Sequence, residues 1–452
     1  MYSRSMMPQR SIRMLTYALI AGVFKWYMDG YGGNPIRIRK FEIIHIFNAV
    51  NHVLNNTELA KIGLTSWLSI HALSEGKAYT LPAYLYYHYA ATKHLLGDGA
   101  YTVLVNNFSF ALVALTCVAT AEASLIFIPN NLRLGNYLTA VSVFAISITS
   151  PFNYRMMLVN CKETYFIFFT ILGHISLKQK RKPLGYIWLS LGGLMCYYWC
   201  FFLSFYFFLK KFMLSRSRLA RALATKDIQE DSKFQPLTTK GHATKEGQGI
   251  YNLFNMTAIY ILPLGVTFIQ SLILRLILPG LLQENTSAVF RAGLGGENIH
   301  HGGFLGAIQF LGGIRITTCI STFTNSTITL NGKIAAYNCL LATIGMAVIS
   351  VISVAGFLVL TKKSYEARKY LLPLFLAYVA FICIMQQTLA AHVHIYSVVF
   401  AYFYSLGLIV AIYCISARAM ASKIDQHFTA IAIVCGIVLN SLRIDSLVGL
   451  NG

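Results

Sequence analysis

Charged side chains are scarce. They make up 12% of the 452 residues, against the roughly 25% that a water-facing domain carries to cover its surface. Hydrophobic residues reach 56% and the mean hydropathy is +0.58, so most of this surface does not meet water. Acids are scarcer still, with 16 Asp and Glu against 37 Lys and Arg. The net charge of +21 does not point to nucleic acid, because the cations fall between apolar blocks and not on a stripe with interleaved aromatics. The nine cysteines are odd in number, and most lie inside apolar blocks. That is no disulfide framework; such cysteines act as small hydrophobes. The N-terminus has Arg4, Arg10 and Arg13 ahead of Met14–Phe24 but no small-x-small cleavage site after it, which predicts an uncleaved signal anchor.

What is present in abundance is long apolar runs. A helix crosses the hydrocarbon with roughly 20 mainly apolar residues, and the candidate spans are 14–28, 101–128, 135–152, 164–178, 184–212, 250–279, 335–361, 370–388, 395–415 and 428–442. The expected fold is therefore an all-α, polytopic transmembrane bundle of about ten or eleven spans. Block 184–212 is too long for one span and has Cys196-Tyr197-Tyr198-Trp199-Cys200 at its centre. It is expected to be a split helix pair that returns to its starting side.

Charge bias orients the chain. With a cytoplasmic N-terminus, segments 1–13, 129–134, 179–183, 213–249, 362–369 and 416–427 are also cytoplasmic and, with their flanks, hold well over half of the Lys and Arg. If 184–212 crossed once, the basic loop after it would face outward and the bias would collapse. Residues 1–212 thus form one transmembrane module with an outer loop 29–100. A polar cytoplasmic loop 213–249 follows, then a second module 250–452 with an outer loop 280–334. Outer loops of this length are expected to be structured or functional. Leu81–Leu96, rich in Tyr, is expected to be a helix in the headgroup plane.

Ionisable residues beside a membrane are costly and each needs a reason. Glu42 and His45 sit three apart, hence on one face if helical. They can act as a general base and its orienting partner, or Glu42 can be a cap or a partner of Arg39. Glu163 stands at the outer start of a span, where the helix dipole favours an acid. Arg155 and Lys162 place two cations in the same outer loop, suited to a phosphate. In Gly295-Gly296-Glu297-Asn298-Ile299-His300-His301-Gly302-Gly303, His300 and His301 either belong to a structural loop or contact substrate, a phosphate or a metal, although zinc spacing is absent; Arg315 follows on the same segment. His392 and His394 open a late span and can contact a headgroup. Glu122 lies inside span 101–128 and is expected either to pair with a neighbouring helix or to relay protons.

The stretch Leu81-Pro82-Ala83-Tyr84-Leu85-Tyr86-Tyr87-His88, then Leu95-Leu96-Gly97-Asp98-Gly99 and an apolar span, resembles the first-loop signature of the GT-C glycosyltransferases. The sequence Ser150-Pro151-Phe152-Asn153-Tyr154, Lys162-Glu163 opening a span, the basic turn 178–182 and a split helix pair are similar to the next part of that family. The resemblance covers roughly 1–215 and, more weakly, 335–415. It implies a mannosyltransferase- or arabinosyltransferase-like enzyme that inverts configuration. The donor would be a polyprenyl-phosphate sugar and the acceptor a glycan, lipid or protein hydroxyl, with the metal requirement left open. Glu42 matches the family's catalytic carboxylate and Glu163 its second outer acid. Two departures stand out: Phe41 precedes Glu42 where the family often has an Asp, and 392–396 lacks the family's Arg. The expected location is a bacterial inner membrane with the chemistry on the periplasmic face. A secondary transporter, which would show internal repeats and midplane charges, and a non-catalytic scaffold are the rival expectations.

Overall fold

The computed structural model describes residues 6–30, 70–74, 77–81, 83–158, 162–195, 206, 209, 311, 330–384, 386–420 and 422–450. These are helical almost throughout, as lipid demands: in hydrocarbon a backbone N–H or C=O has no water to bond, so it must be satisfied within its own segment. The chain opens with α1 (Met6–Gly30). A short antiparallel hairpin, β1 (Ile70–Ser74) with β2 (Lys77–Leu81), pairs Ile70 with Leu81 and Ser74 with Lys77. This hairpin is the one departure from the all-helical expectation among the described residues.

Next come α2 (Ala83–Phe127), α3 (Asn136–Ile148), α4 (Pro151–Leu158), α5 (Lys162–Lys178) and α6 (Lys182–Met195). After these follow α7 (Leu330–Lys363), a π-helical turn at Ala367–Leu371, α8 (Leu372–Ile384), α9 (Gln386–Ala419) and α10 (Lys423–Leu450). Among the described residues four stretches are long and apolar enough to cross a membrane: Asn107–Phe127, Leu340–Lys363, Val398–Ala419 and Lys423–Leu442. The chain is an integral membrane protein. Span 250–279 lies outside the described residues.

Three boundaries differ from expectation. Predicted span 135–152 is divided, because Pro151 has no N–H to continue α3 and instead starts α4. Predicted spans 370–388 and 395–415 are not separated by a loop at 389–394; α9 begins at Gln386 and runs through it. The interfacial helix and the second span form one element, α2, broken only at Gly97, whose φ of +82° and ψ of 174° are a conformation open to glycine.

α9 is the axis of the bundle. Every residue from Val398 to Ile412 is buried, whereas α10 exposes Ile424, Phe428, Ile431 and Leu439 on its outside. Side chains of that kind belong against lipid tails. α7 and α9 cross so closely that a Cβ on Gly356 would lie 2.1 Å from the Gly407 carbonyl oxygen, and one on Gly407 would lie 2.1 Å from that of Ser353. In lipid, helices associate by such close packing of small residues and by hydrogen bonds between them, and the Ser353 hydroxyl donates to the Tyr404 carbonyl at 2.7 Å beside the crossing. Aromatic rings fill the space around it: Phe357 meets Phe375 at 4.9 Å and Phe403 at 5.4 Å, while Phe152 of α4 meets Phe400 and Tyr404.

One contact shows that block 184–212 returns toward its starting side. α5 and α6 run antiparallel, with Phe169 stacked on Trp188 at 5.6 Å and Gly192 against Phe166, so the end of α6 is level with the start of α5. Tyr206 nevertheless touches His174, one turn from the end of α5, with its hydroxyl 3.0 Å from Nε2. A single helix onward from Lys182 would carry residue 206 about 36 Å away along its axis. The chain has therefore come back, as the charge bias required.

Two expectations follow. Gly356→Leu or Gly407→Leu should cost about 2 kcal/mol or more by forcing the α7–α9 backbones apart, read as a lower melting temperature of the detergent-purified protein, with Gly436→Leu, whose Cβ meets nothing within 4 Å, near neutral. Single cysteines at Lys180, Lys363 and Ser422 should react with an impermeant maleimide from the same side of sealed vesicles, and a cysteine at Asp29 from the opposite side.

Candidate functional site

The two ends of the bundle differ in chemistry. At one end, five of the six segments predicted to be cytoplasmic are stitched together. The Ser364 hydroxyl donates to the Phe127 carbonyl at 2.9 Å, Lys178 Nζ lies 2.6 Å from Glu366 Oε1, and His427 Nε2 is 3.1 Å from the Leu134 carbonyl. Thr16 and Tyr137 hydroxyls meet at 2.9 Å, joining the start of α1 to the same end. The sixth segment, 213–249, lies outside the described residues. We term this the basic end.

Glu122, one of the acids singled out from sequence, belongs to this end. Arg13 Nε donates to Glu122 Oε1 at 3.3 Å and Nη2 to Oε2 at 3.4 Å, while the Tyr17 hydroxyl donates to Oε1 at 3.1 Å. Of the two expected roles, pairing is the one observed. A carboxylate five residues from the end of α2 is tolerable because a guanidinium and a phenol satisfy it, and the pair locks α1 against α2.

At the opposite, or far, end α4, α5 and α9 start. α5 begins there, and Glu163 in its first turn is 1% exposed. A helix dipole alone would accept an exposed acid at that place; near-complete burial is a stronger requirement, since a buried charge must be held by partners. Glu163 does have an interaction partner in the structure. Around it, Tyr165 is buried and faces Phe108 at 6.5 Å between ring centroids, and Asn153 donates through Nδ2 to the Ser147 carbonyl at 2.8 Å, holding the α3–α4 corner. The backbone puts Arg155 in α4, Lys162 at the head of α5, and His392 and His394 in the early turns of α9. α9 runs from the far end to the basic end and packs on α4 through Phe400 and Phe152, so these positions share the end that holds Glu163. His392 and His394 lie within a helix, two residues apart and hence some 200° around it, so they do not share a face.

Glu42, His45, His300, His301 and Arg315 lie outside the described residues, and with them the proposed base and the histidine loop. The structure therefore gathers Glu163, Arg155, Lys162, His392 and His394 at one end as backbone positions. Among the described residues no group of three or more His, Cys, Asp or Glu could hold a metal ion.

Sequence reasoning missed His174. It is fully buried in α5, bonded to Tyr206 and edge-on to that ring at 5.4 Å. A lone imidazole inside the apolar run Thr164–Leu177 was the available signal, because an ionisable residue in a span needs a partner. The partner, 32 residues on, was not readable. Compared with known proteins, no family model, no curated protein and no solved structure matches the chain.

Proposed function

We propose that the protein is a membrane glycosyltransferase of the GT-C type, moving a sugar from a polyprenyl-phosphate donor to an acceptor hydroxyl at the far end of the bundle. The observation that carries this is the construction of α2: a helix over 83–96, a break at Gly97, and then a crossing at Asn107–Phe127. That is the layout implied by the resemblance of Leu81–Gly99, and it feeds the same end at which Glu163 is buried. The basic end faces the cytoplasm under the positive-inside rule, which puts the N-terminus in the cytoplasm and the chemistry on the outer face, periplasmic in a bacterial inner membrane.

In the proposed reaction the acceptor oxygen attacks the anomeric carbon with inversion. The bond from that carbon to the phosphate oxygen breaks, polyprenyl phosphate leaves with the electron pair, and the carboxylate of Glu42 takes the acceptor proton, with His45 orienting it. Arg155 and Lys162, aided by His300, His301 and Arg315 from the second outer loop and by one of His392 and His394, which lie on different faces of α9, supply positive charge for the departing phosphate. Preorganised charge of this kind is often the largest catalytic contribution. Glu163 holds an acceptor hydroxyl or one of those cations. Glu122, the acid on which a transporter would depend, is engaged by Arg13 and Tyr17.

Release of polyprenyl phosphate from radiolabelled donors (hexose and pentose) in proteoliposomes tests the proposal. The wild-type protein should consume one donor class, and Glu42→Gln should slow it by about a hundredfold or more, the usual contribution of a general base. Glu163→Gln should fall by about tenfold or more, as when a buried charged partner is lost. Full activity of Glu42→Gln would remove it as the base; consumption of no donor by folded wild-type protein would sink the assignment.

A further inference from the structure

The basic end holds more positive charge than its own acids can meet. Among the described residues its acids are Glu122, Glu366 and Asp425, and each is already engaged: Glu122 by Arg13 and Tyr17, Glu366 by Lys178, and Asp425 by Ser422. Two of the turns here are drawn together by the Lys178–Glu366 ion pair. One, between α5 and α6, carries Lys180, Arg181 and Lys182, all exposed; the other, between α7 and α8, carries Lys362 and Lys363, also exposed, and Lys369. The ion pair that joins the turns neutralises itself, so these six cations bring charge to one patch that no acid among the described residues pairs with.

The patch also has an aromatic component. Lys369 Nζ lies 5.9 Å from the Tyr365 ring centroid and 5.1 Å from that of Tyr370, and Tyr365 is 53% exposed. A tyrosine at the end of a lipid-facing helix sits at headgroup depth. Directly beyond the patch, α7 exposes Leu358 and Val359 on its outer side, a surface for acyl chains. Cations, an interfacial tyrosine and an apolar wall in that order match one partner: a lipid with an anionic headgroup.

We propose that the joined turns 178–182 and 362–369 form a binding surface for anionic phospholipid headgroups in the leaflet that meets the basic end. The phosphates sit among Lys180, Arg181, Lys182, Lys362, Lys363 and Lys369, and the acyl chains lie along α7. Clusters of four to eight cations beside a span are the kind of feature that recruits such lipids. A soluble acidic macromolecule would use the charges but not the apolar wall, so lipid is favoured over a nucleic acid or an acidic protein. Neither the catalytic assignment nor the identity of the facing compartment enters this inference.

The test uses full-length protein in neutral detergent, titrated with fluorescent short-chain phosphatidylglycerol and, in parallel, phosphatidylcholine. Phosphatidylglycerol should bind saturably and at least tenfold more tightly than phosphatidylcholine. The triple variant Lys180→Gln, Arg181→Gln, Lys182→Gln should lose roughly tenfold or more of that affinity, whereas Arg418→Gln with Lys423→Gln, on another turn of the same end, should lose little. Because the triple variant can also misfold, salt gives a second readout on the wild-type protein: raising it from about 0.05 to about 0.5 M should weaken phosphatidylglycerol binding severalfold by screening. Equal affinity for the two lipids, affinity independent of salt, a folded triple variant that binds as the wild type does, or displacement of the lipid by a soluble oligonucleotide would each overturn the proposal.

Discussion

Four helices finish at the basic end, and the last carbonyls of each have no partner inside their own helix. That constraint organises the fold. At the end of α2, Arg133 Nε donates to the Ile128 carbonyl at 2.6 Å and Nη2 to that of Leu125. At the end of α7, Arg368 does the same for Thr361 and Lys362, at 3.0 and 2.6 Å. α5 closes on itself instead: Lys180 takes a φ of +62°, its N–H bonds the Leu177 carbonyl, and the N–H of Arg181 reaches back to Ser176. α9 ends with Arg418 in its last turn. Cations at this end thus satisfy the orphan carbonyls of α2 and α7. The same placement produces the charge bias that orients a chain in a membrane.

At the far end α4, α5 and α9 start, as α3, α6 and α10 do at the basic end. Helix starts present N–H groups and positive dipole ends, which favour anions. α5 begins there with Lys162 and the buried Glu163, α4 with Pro151, whose ring removes an N–H that would have had no helical partner. A carboxylate and a phosphate are both at home in such a place. A lipid-linked sugar would bring its phosphate to this end while its chain stayed among the tails. The two ends of the bundle therefore differ: exposed cations crowd the turns of one, and the buried Glu163 lies at the other.

The middle of the bundle depends on close approach and not on charge. Lipid tails are as apolar as leucine, so burial alone does not drive helices together there. Gly356 and Gly407 remove side chains where α7 and α9 cross, and the Ser353–Tyr404 hydrogen bond is made across the gap. Phe357, Phe375 and Phe403 fill the space beside the crossing. Among the deeper polar groups, His174 is held by Tyr206 and Asn153 by the Ser147 carbonyl.

Membrane insertion, the helical class, the basic turns and the return of the split pair could be read from sequence, because all four follow from one-dimensional quantities: run length, charge position and the cost of bare backbone in lipid. Glu163 could be named for the same reason, as an acid next to a span. Which groups meet across the bundle could not. Glu122 finds Arg13 across 109 residues and His174 finds Tyr206 across 32, and nothing local encodes those distances. The continuity of α9 through 389–394, the division of α3 from α4 and the burial of Glu163 were likewise decided by packing, since a helix boundary in lipid is set by what neighbouring helices leave open. Composition alone dictated that this chain crosses a membrane; only the assembled helices, by bringing distant ends to one level, decided which charges meet one another.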